Sequence, residues 1–314
     1  MIYSPAMTIE ELNASVRDGS FADIVRVSEA RQEKLLAALA DRICARKAVR
    51  VVLIAGGSSA GKTTTAKRLA IQLAVNAVPT ITMSTDDYFV GAARTPRDER
   101  GEPDFETIRA IDAERLVADV KALVAGEEIP LHRYDFVRQR PYDSERKLKL
   151  PPGGMIVLEG LHALNPLLMP GMRARWLHRI YAVPLTQPTV FVATKVLPHH
   201  LRLLRRLVRD NRFRKTDPAA TFRMWPKVLE GEKRWIEPFA GNANDMFDSS
   251  QIYELPVLKP YAEGLLAMEK LRHPGNVDVD ILLQLLATVE AAPSTSVPGV
   301  SILRETIGGS QLEY

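Results

Sequence analysis

The segment G-G-S-S-A-G-K-T at positions 56–63 constrains the fold of this chain more than any other feature. It is a complete P-loop, and it lies between an apolar, β-branched run, Arg50–Ala55, and an amphipathic segment, Thr64–Val75. A P-loop belongs between a buried parallel strand and the N-terminus of a helix, where main-chain N–H groups turn inward around phosphate oxygens. The sequence therefore predicts an α/β fold of the P-loop NTPase type, rather than a glycine turn that binds nothing.

Each position of this loop has a physical role. Gly56 and Gly61 allow backbone conformations that side chains would forbid. Lys62 supplies a mobile positive charge for the β- and γ-phosphates, and the hydroxyl of Thr63 suits the coordination shell of Mg²⁺. We therefore expect a nucleoside triphosphate with Mg²⁺ to be bound by nine consecutive residues: Gly56, Gly57, Ser58, Ser59, Ala60, Gly61, Lys62, Thr63 and Thr64.

The composition is typical of a globular protein from a reducing compartment. With 314 residues, 46% of them hydrophobic, the chain is long enough for one large or two small domains. No run approaches the roughly 18 apolar residues of a membrane span, and the N-terminus lacks a signal-peptide pattern. Cys44 is the only cysteine, which excludes an internal disulfide. We expect a cytoplasmic protein with no membrane partner.

Apolar runs alternate with helical patterns, which predicts a parallel sheet with helices on both faces. The predicted strands are Arg50–Ala55, Thr80–Ser84, Met155–Leu158 and Arg179–Val183, and the segment Pro130–Pro152 is predicted to be irregular. Ligands of such sheets bind at the carboxyl ends of the strands, where Gly56, Asp86 and Glu159 all fall.

The rest of the chain is predicted to be mainly helical. The predicted helices begin with a capping box of Thr8 and Glu11 and continue with Arg31–Arg46, Asp112–Val124, Leu201–Asn211, a helix capped by Asp217, Leu258–Arg272 and Val279–Ala291. The last sixteen residues are expected either to dock as a tail or to remain loose.

Carboxylates follow two of the predicted strands. Asp86 and Asp87 follow Thr80–Ser84, and we expect Asp86 to face the γ-phosphate, orient an acceptor hydroxyl and take its proton. Capping of a turn is the alternative role, and it suits Asp87 better than Asp86. Glu159 closes another strand and resembles the acidic residue that holds a metal through water. The predicted metal site comprises Thr63, Asp86 and Glu159.

Arginines are concentrated in the segment Leu201–Arg214, although the net charge of the chain is only +4. Its leucines and Val208 are predicted to pack inward, while its arginines point away from the core. Guanidinium groups suit phosphate oxygens, so this helix is predicted to close over the nucleotide as a mobile lid. An ordinary solvated basic face is the alternative. A nucleic-acid surface would interleave aromatic residues, and only Phe213 is present, so we expect no nucleic-acid partner.

Aromatic and histidine side chains complete the candidates. Five aromatic residues offer surfaces for a base or a sugar, although single aromatic residues more often belong to a core: Tyr88, Phe89, Phe105, Tyr134 and Phe136. Four histidines lack metal-ligand spacing to other His or Cys residues and are predicted not to bind metal: His132, His162, His199 and His200.

Several short motifs occur together in one known family. They are G-G-S-S-A-G-K-T, S-T-D-D-Y-F, Y-D-F, V-L-E-G, L-L-R-R-L-V-R-D and Y-E-L-P-V-L-K-P-Y-A, spread over Val51–Tyr261, with S-I-L-R-E-T-I-G-G-S near the C-terminus. In this combination the chain resembles the uridine kinase and phosphoribulokinase family of P-loop kinases. Within that family it is most similar to bacterial uridine-kinase-like proteins with extended termini.

The resemblance implies ATP-dependent phosphorylation of a sugar hydroxyl, which in uridine kinases is the 5′-hydroxyl of uridine or cytidine, with ATP and Mg²⁺ as cofactors. It implies that Asp86 is the catalytic base and that Lys62, Arg205 and Arg209 are further catalytic groups. Arg206 is also implied to belong to the lid. The implied acceptor-binding residues are Tyr88, Phe105, Glu106, Tyr134, Phe136 and Arg202. Among them, Glu106 corresponds to an acidic residue that grips the ribose hydroxyls, and Tyr134 and Phe136 correspond to aromatic residues that flank the nucleoside.

Two segments depart from the family pattern. Arg138-Gln139-Arg140 stands where uridine kinases usually have a histidine that reads the pyrimidine edge, and A-T-K-V-L-P-H-H, before the arginine segment, has only Lys195 as a partial match. Two other functions therefore stay open: a sugar-phosphate kinase of the phosphoribulokinase type, and a nucleotide-binding regulatory protein with little kinase activity. A GTPase is not expected, because no N-K-x-D sequence is present. Kinases of this group often form homo-oligomers, so that state is open too.

Three parts are expected along the chain. An N-terminal helical segment, 1–48, precedes a P-loop kinase domain, 49–262, whose helical lid spans about 195–240. Residues 263–314 are expected to form C-terminal helices and a tail. The expected partner is a small-molecule acceptor, either a nucleoside or a sugar.

Overall fold

A five-stranded parallel sheet forms the centre of the protein. The computed structural model describes residues 7–99, 101–185 and 198–313. The strands are β1 (Val51–Ala55), β2 (Thr80–Ser84), β3 (Glu128–Asp135), β4 (Arg140–Lys149), β5 (Met155–Glu159), β6 (Leu177–Val183) and β7 (Asp245–Asp248). The sheet has the order β2-β5-β1-β6-β7 with parallel neighbours throughout, while β3 and β4 form a separate antiparallel hairpin. The predicted parallel sheet is thereby confirmed.

Helices cover both faces of this sheet and form a further layer beside it. They are α1 (Ile9–Asp18), α2 (Phe21–Ala45), α3 (Lys62–Val75), α4 (Ala113–Val124), α5 (Pro198–Arg214), α6 (Pro218–Trp235), α7 (Glu254–Arg272), α8 (Val277–Ala287) and α9 (Arg304–Ile307). The predicted capping box of α1 is present, since Thr8 and Glu11 bond each other's main-chain N–H groups. Among the described residues, none of the helices has both the length and the apolarity needed to cross a membrane.

Alternate residues of β1 face the two sides of the sheet. Val51 and Leu53 join a hydrophobic cluster with α4 and the hairpin. Val52 and Ile54 join a second cluster with α2 and α3 on the opposite face. Because both faces are covered, every residue of β1 is buried, which is why its sequence is a continuous apolar run.

A third cluster lies beside the sheet and is made mainly by helices. It joins α1 and the start of α2 to α5, α6, α7, α8 and the C-terminal segment. Leu303 and Ile307 are buried members of this cluster. Of the two behaviours expected of the tail, docking is therefore the one observed.

The sequence-based prediction missed three strands and part of a helix. The segment Pro130–Pro152 is not irregular as predicted, because it forms most of the β3–β4 hairpin. Most side chains of β4 are charged and exposed, so it shows no apolar alternation. Strand β7 has only four residues. Helix α2 begins at Phe21 rather than at Arg31, since several residues of its buried face are polar and hide the helical pattern.

Part of the predicted lid lies outside the described residues. The start of the range 195–240 and most of the segment A-T-K-V-L-P-H-H, including Lys195, fall in 186–197. The described part of the lid consists of α5 and α6. Both helices contribute fully buried side chains to the third cluster, among them Leu203 and Trp225.

Candidate active site

The P-loop follows β1, in the middle of the sheet. Gly56 packs so closely against β6 that an added Cβ would be 2.3 Å from the carbonyl oxygen of Ala182. Gly61, the N-cap of α3, has a φ of 80°, which strains any residue with a side chain. These two glycines are therefore required for the reasons predicted, and they hold the loop at the positive end of the α3 dipole.

The residues predicted to bind phosphate fit that ligand. Lys62 begins α3, and its Nζ donates a hydrogen bond to the carbonyl of Gly57 at 3.1 Å, so the ammonium group lies over the loop. The buried hydroxyl of Ser59 has no hydrogen-bond partner among the described residues. An ammonium group, an unpartnered hydroxyl and a helix N-terminus form a donor set that matches phosphate oxygens. All nine predicted residues lie in this loop and the first turn of α3.

Thr63 and Glu159 form the side of the loop that suits a metal. The hydroxyl of Thr63 donates to Glu159 Oε1 at 3.3 Å. Burial and the nearby carboxylate of Asp86 raise the pKa of Glu159 to about 7. A divalent cation would offset the repulsion between these two carboxylates. Hydroxyl and carboxylate oxygens are also ligands that Mg²⁺ prefers. The predicted set of Thr63, Asp86 and Glu159 is therefore brought together and fits Mg²⁺.

The turn after β2 separates the roles of its two aspartates. Asp87 forms an ion pair with Arg133 of the hairpin at 2.8 Å. The cap of this turn is Ser84, whose Oγ accepts a hydrogen bond from the main-chain N–H of Asp86 at 3.2 Å. Asp87 thus connects the turn to β3, while neither aspartate side chain acts as the cap.

Asp86 is the carboxylate of this turn that remains for chemistry. Within the part of the chain that the structure describes, nothing donates a hydrogen bond to its carboxylate, and its side chain keeps an exposed surface. Desolvation by the surrounding protein raises the pKa of Asp86, while the positive charges of Lys62, Arg214 and Arg209 oppose that rise. The charges that act on this carboxylate are therefore those of cations of the kind that stabilise a transferring phosphoryl group.

The arginines of α5 are more buried than the sequence predicts. Arg202 and Arg205 are 8% and 3% exposed. Arg202 donates two hydrogen bonds of 2.6 Å to the carboxylate of Glu232, and Arg205 donates to Glu254 at 2.8 Å. The prediction that these two arginines point away from the core is wrong, because each has a buried carboxylate partner. The inward packing of Leu201, Leu204, Leu207 and Val208 is confirmed.

Two other arginines of α5 lie towards the P-loop. Arg206 Nη1 donates to Ser58 Oγ at 2.8 Å. Arg209 pairs with Asp210 at 2.8 Å and lies 3.7 Å from Glu305 of the C-terminal segment. Arg209 therefore keeps the position expected of a phosphate ligand, as Arg206 does.

Glu232 is a site residue that the sequence did not indicate. Its Oε1 accepts a hydrogen bond from the main-chain N–H of Ser58 at 2.8 Å, so a carboxylate of α6 lies directly on the P-loop. In the sequence this residue belongs to a charged stretch, L-E-G-E-K-R, that is typical of an exposed helix face. No sequence spacing relates it to the P-loop, and only the tertiary fold identifies it.

Glu106 and His162 lie where α6 meets the loops after β2 and β5. A Cβ added at Gly231 would be 2.6 Å from Glu106 Cβ, so α6 and Glu106 are in direct contact. Desolvation raises the pKa of Glu106 to about 7, with the charge of Arg206 acting in the opposite direction. His162 is buried, and burial lowers its pKa to about 4. His162 is therefore neutral near pH 7, and the sequence did not single it out for this position.

Most of the predicted aromatic residues form one cluster. The ring centroid of Phe89 lies 5.3 Å from that of Phe105, 5.4 Å from that of Tyr134 and 6.4 Å from that of Phe136. Phe136, at the end of the hairpin, is 63% exposed, while Tyr134 is buried. The cluster thus has a buried base and an exposed edge.

Tyr88 does not belong to this surface. It is buried, and its hydroxyl donates a hydrogen bond to Asp119 of α4 at 3.0 Å. The implied role of Tyr88 in binding the acceptor is therefore replaced by a structural one, the attachment of the turn after β2 to α4.

His199 and His200 have a third neighbour that the sequence could not show. Asp278 of α8 offers an oxygen within 4.8 Å of a nitrogen of each histidine. His200 Nε2 and Asp278 Oδ1 are 3.4 Å apart. This distance is close to the separation of about 3.3 Å between neighbouring ligands of a tetrahedral zinc. The hydrogen bond from His200 lowers the pKa of Asp278. This contact joins α5 to α8.

A family model and several relatives match this chain. The model of the Phosphoribulokinase / Uridine kinase family matches residues 51–253. A uridine kinase of Staphylococcus aureus is 27% identical over 194 residues, which are 61% of this chain and 84% of that protein. A uridine kinase of Halobacterium salinarum is 31% identical over 112 residues, 36% of this chain, and the match spans about half of that protein, 48%.

A solved structure is similar as well. It is described as a possible uridine kinase from Bacillus stearothermophilus, with a TM-score of 0.43, 22% identity, and coverage of 70% of this chain and 100% of that chain.

The family match begins at the first residue of β1 and ends at Tyr253. It therefore includes the P-loop, Asp86, Glu159, the hairpin and α5.

Proposed function

Because the chain belongs to the phosphoribulokinase and uridine kinase family, we propose that it transfers a phosphoryl group from Mg·ATP to a hydroxyl of a nucleoside resembling uridine or cytidine. The observation that carries this proposal is the position of Asp86. Its carboxylate receives no hydrogen bond from any described residue and stands among the cations Lys62, Arg209 and Arg214. A carboxylate left free beside phosphate-binding cations is what a base for an acceptor hydroxyl requires.

A small number of side chains carry out the proposed reaction. Lys62, together with the N–H groups at the start of α3, binds the phosphates and offsets their charge. Asp86 orients the acceptor hydroxyl and accepts its proton as the oxygen attacks the γ-phosphorus. Arg206 and Arg209 of α5 bind the phosphates from the lid. Mg²⁺, held by Thr63, Asp86 and Glu159, would supply further positive charge to the phosphate oxygens.

Ion pairs of the hairpin favour a nucleoside over a phosphorylated sugar. The arginines on the acceptor side are the residues that suggest a sugar phosphate. Arg133 is paired with Asp87 at 2.8 Å, and Arg138 with Asp135 at 3.3 Å. An arginine that already has a carboxylate partner is less available to a second anion. Phe136 and the cluster behind it instead offer an apolar face on which a base can stack.

Other observations bear on the regulatory alternative and on the cellular location of the protein. The motive for a regulatory protein is the segment 193–200, most of which lies outside the described residues. Free Asp86 supports catalysis over regulation. A single cysteine, Cys44, is consistent with the cytoplasmic location that we propose.

A panel of acceptors tests the function directly. Nucleosides, free sugars and sugar phosphates are each incubated with the protein and Mg·ATP, and the products are identified by mass. We expect a phosphorylated pyrimidine nucleoside and ADP in equal amounts. Phosphorylation of a sugar phosphate alone would replace the nucleoside in this proposal, and binding of ATP without any product would favour the regulatory alternative.

Glu106 predicts a pH dependence of acceptor binding. With a pKa of about 7, the carboxyl group is about 10% ionised at pH 6 and about 90% ionised at pH 8. Only the ionised form accepts hydrogen bonds from ribose hydroxyls through both oxygens. The KM for the nucleoside should therefore fall several-fold between pH 6 and pH 8 at saturating Mg·ATP. Glu106→Gln should flatten this profile, and a profile unchanged by that substitution would exclude Glu106 as its source.

A further inference from the structure

The C-terminal segment Ser301–Ile307 lies against the P-loop. Ile302 packs on Gly61 so closely that a Cβ added at Gly61 would be 2.1 Å from Ile302 Cδ1. Three residues later, Glu305 Oε2 accepts a hydrogen bond from the hydroxyl of the buried Thr64 at 3.1 Å. The segment thus contacts both the glycine that shapes the loop and the first turn of α3.

Several interactions fix the segment in this position. The guanidinium of Arg304 donates hydrogen bonds to main-chain carbonyls on both sides of α9, at 3.0 to 3.3 Å. The buried Ser301 hydroxyl lies 3.0 Å from the hydroxyl of Tyr253. Leu303 and Ile307 are anchored in the helical cluster. The carboxylate of Glu305 is therefore held beside the P-loop by a built structure.

Glu305 also lies beside Arg209, a cation that a nucleotide would use. Its Oε1 is 3.7 Å from Arg209 Nη1. Desolvation lowers the pKa of Lys67 on α3, and the charge of Glu305 is the largest effect in the opposite direction. A small cavity between the P-loop and this segment is lined by Ser59, Gly61, Arg205, Arg209, Ile302, Glu305 and Thr306. One carboxylate of the C-terminal segment thus neutralises part of the positive charge around the phosphate site.

Glu305 lies close to where the nucleotide phosphates bind. A P-loop binds the α- and β-phosphates with its main chain, and its lysine reaches the β- and γ-phosphates. In the proposed reaction the γ-phosphate lies towards Lys62 and Asp86. Glu305 contacts Thr64, two residues after Lys62, and Ile302 of the same segment packs on Gly61, so the carboxylate lies against the first turn of α3 and beside the phosphate-binding loop.

We propose that Glu305 is an electrostatic gate of the nucleotide site. Its carboxylate competes with the nucleotide phosphates for Arg209 and repels their charge at the start of α3, so that the protein binds nucleotide more weakly than its P-loop alone would. When nucleotide binds, Arg209 exchanges Glu305 for a phosphate oxygen. This inference rests on the proposed function only in requiring that a nucleotide occupies the P-loop.

The substitution Glu305→Gln tests the gate. Glutamine keeps the shape and an oxygen for the Thr64 hydroxyl but lacks the charge. We expect the Kd for Mg·ADP, measured by titration calorimetry at low ionic strength, to fall about tenfold. The difference should shrink as salt is added, because the contact is partly exposed. Glu305→Asp keeps the charge and should bind Mg·ADP within about threefold of the wild-type protein.

A matched control removes a charge elsewhere on the protein. Glu127 is exposed after α4, and Glu127→Gln should leave the Kd for Mg·ADP unchanged. Glu305→Ala also lacks the charge and covers the case in which the glutamine variant fails to fold. Unchanged or weaker binding in every folded variant without the charge at 305 would overturn the gate. A wild-type protein that does not bind Mg·ADP would instead overturn the proposed function.

Discussion

Asp86→Asn is expected to reduce the rate of phosphoryl transfer by about 10²- to 10⁴-fold, the range that a general base contributes. Asparagine keeps the size of the side chain but cannot accept the proton of the acceptor hydroxyl. No described residue donates a hydrogen bond to the Asp86 carboxylate, so the substitution breaks no hydrogen bond of that side chain. Thr63 and Glu159 of the proposed Mg²⁺ site remain, so at saturating Mg²⁺ the Kd for Mg·ADP should stay within about threefold of the wild-type value. Steady-state rates with the preferred nucleoside and titration calorimetry measure the two quantities.

The neighbouring aspartate provides the control. Asp87→Asn removes the ion pair with Arg133, whose side chain is 47% exposed. Asp87 has no part in the proposed proton transfer, so we expect turnover within about threefold of the wild-type rate. Full activity of Asp86→Asn would remove Asp86 from the mechanism. Equal losses in both variants would mean that the turn after β2, rather than the base, limits the reaction.

Local patterns account for what the sequence predicted correctly. The P-loop, the strand before it and the helix after it are specified by neighbouring residues, and each lies where the motif requires. The same is true of Asp86 and Glu159, because the carboxyl ends of parallel strands meet at one edge of the sheet. These features need no knowledge of which distant segments pack together.

Contacts between distant segments account for what the sequence missed. The sequence pattern predicts that Arg202 and Arg205 belong to one exposed basic face. Their partners, Glu232 and Glu254, lie 30 and 49 residues further along the chain. Each carboxylate belongs to a helix whose own pattern gives no sign of a buried ion pair. The β3–β4 hairpin was missed for a related reason, since main-chain pairing rather than apolar alternation defines β4.

The buried pair of Arg205 and Glu254 should be among the most sensitive positions for stability. Arg205→Met is expected to lower the free energy of unfolding by about 3–5 kcal/mol, because it leaves the carboxylate of Glu254 buried without its cation. Both side chains are at most 4% exposed. Chemical denaturation followed by tryptophan fluorescence measures the loss, and the buried Trp225 of α6 belongs to the cluster that α5 and α7 share.

Two comparisons separate the lost ion pair from lost packing. Arg17 and Glu290 form an exposed pair, with side chains 59% and 40% exposed, so Arg17→Met should cost at most about 1 kcal/mol. The double variant Arg205→Met with Glu254→Leu should recover most of the stability, since it removes both charges.

The loss in Arg205→Met should also depend on pH. Burial already raises the pKa of Glu254 above its ordinary value in the wild-type protein, and removal of Arg205 raises that pKa further. A carboxyl group with a raised pKa in the folded state destabilises that state as the pH rises above the pKa of the unfolded chain. The variant should therefore lose more stability at pH 8 than at pH 5. A loss that is equal at both pH values would assign the effect to packing around Arg205 rather than to an unpaired charge on Glu254.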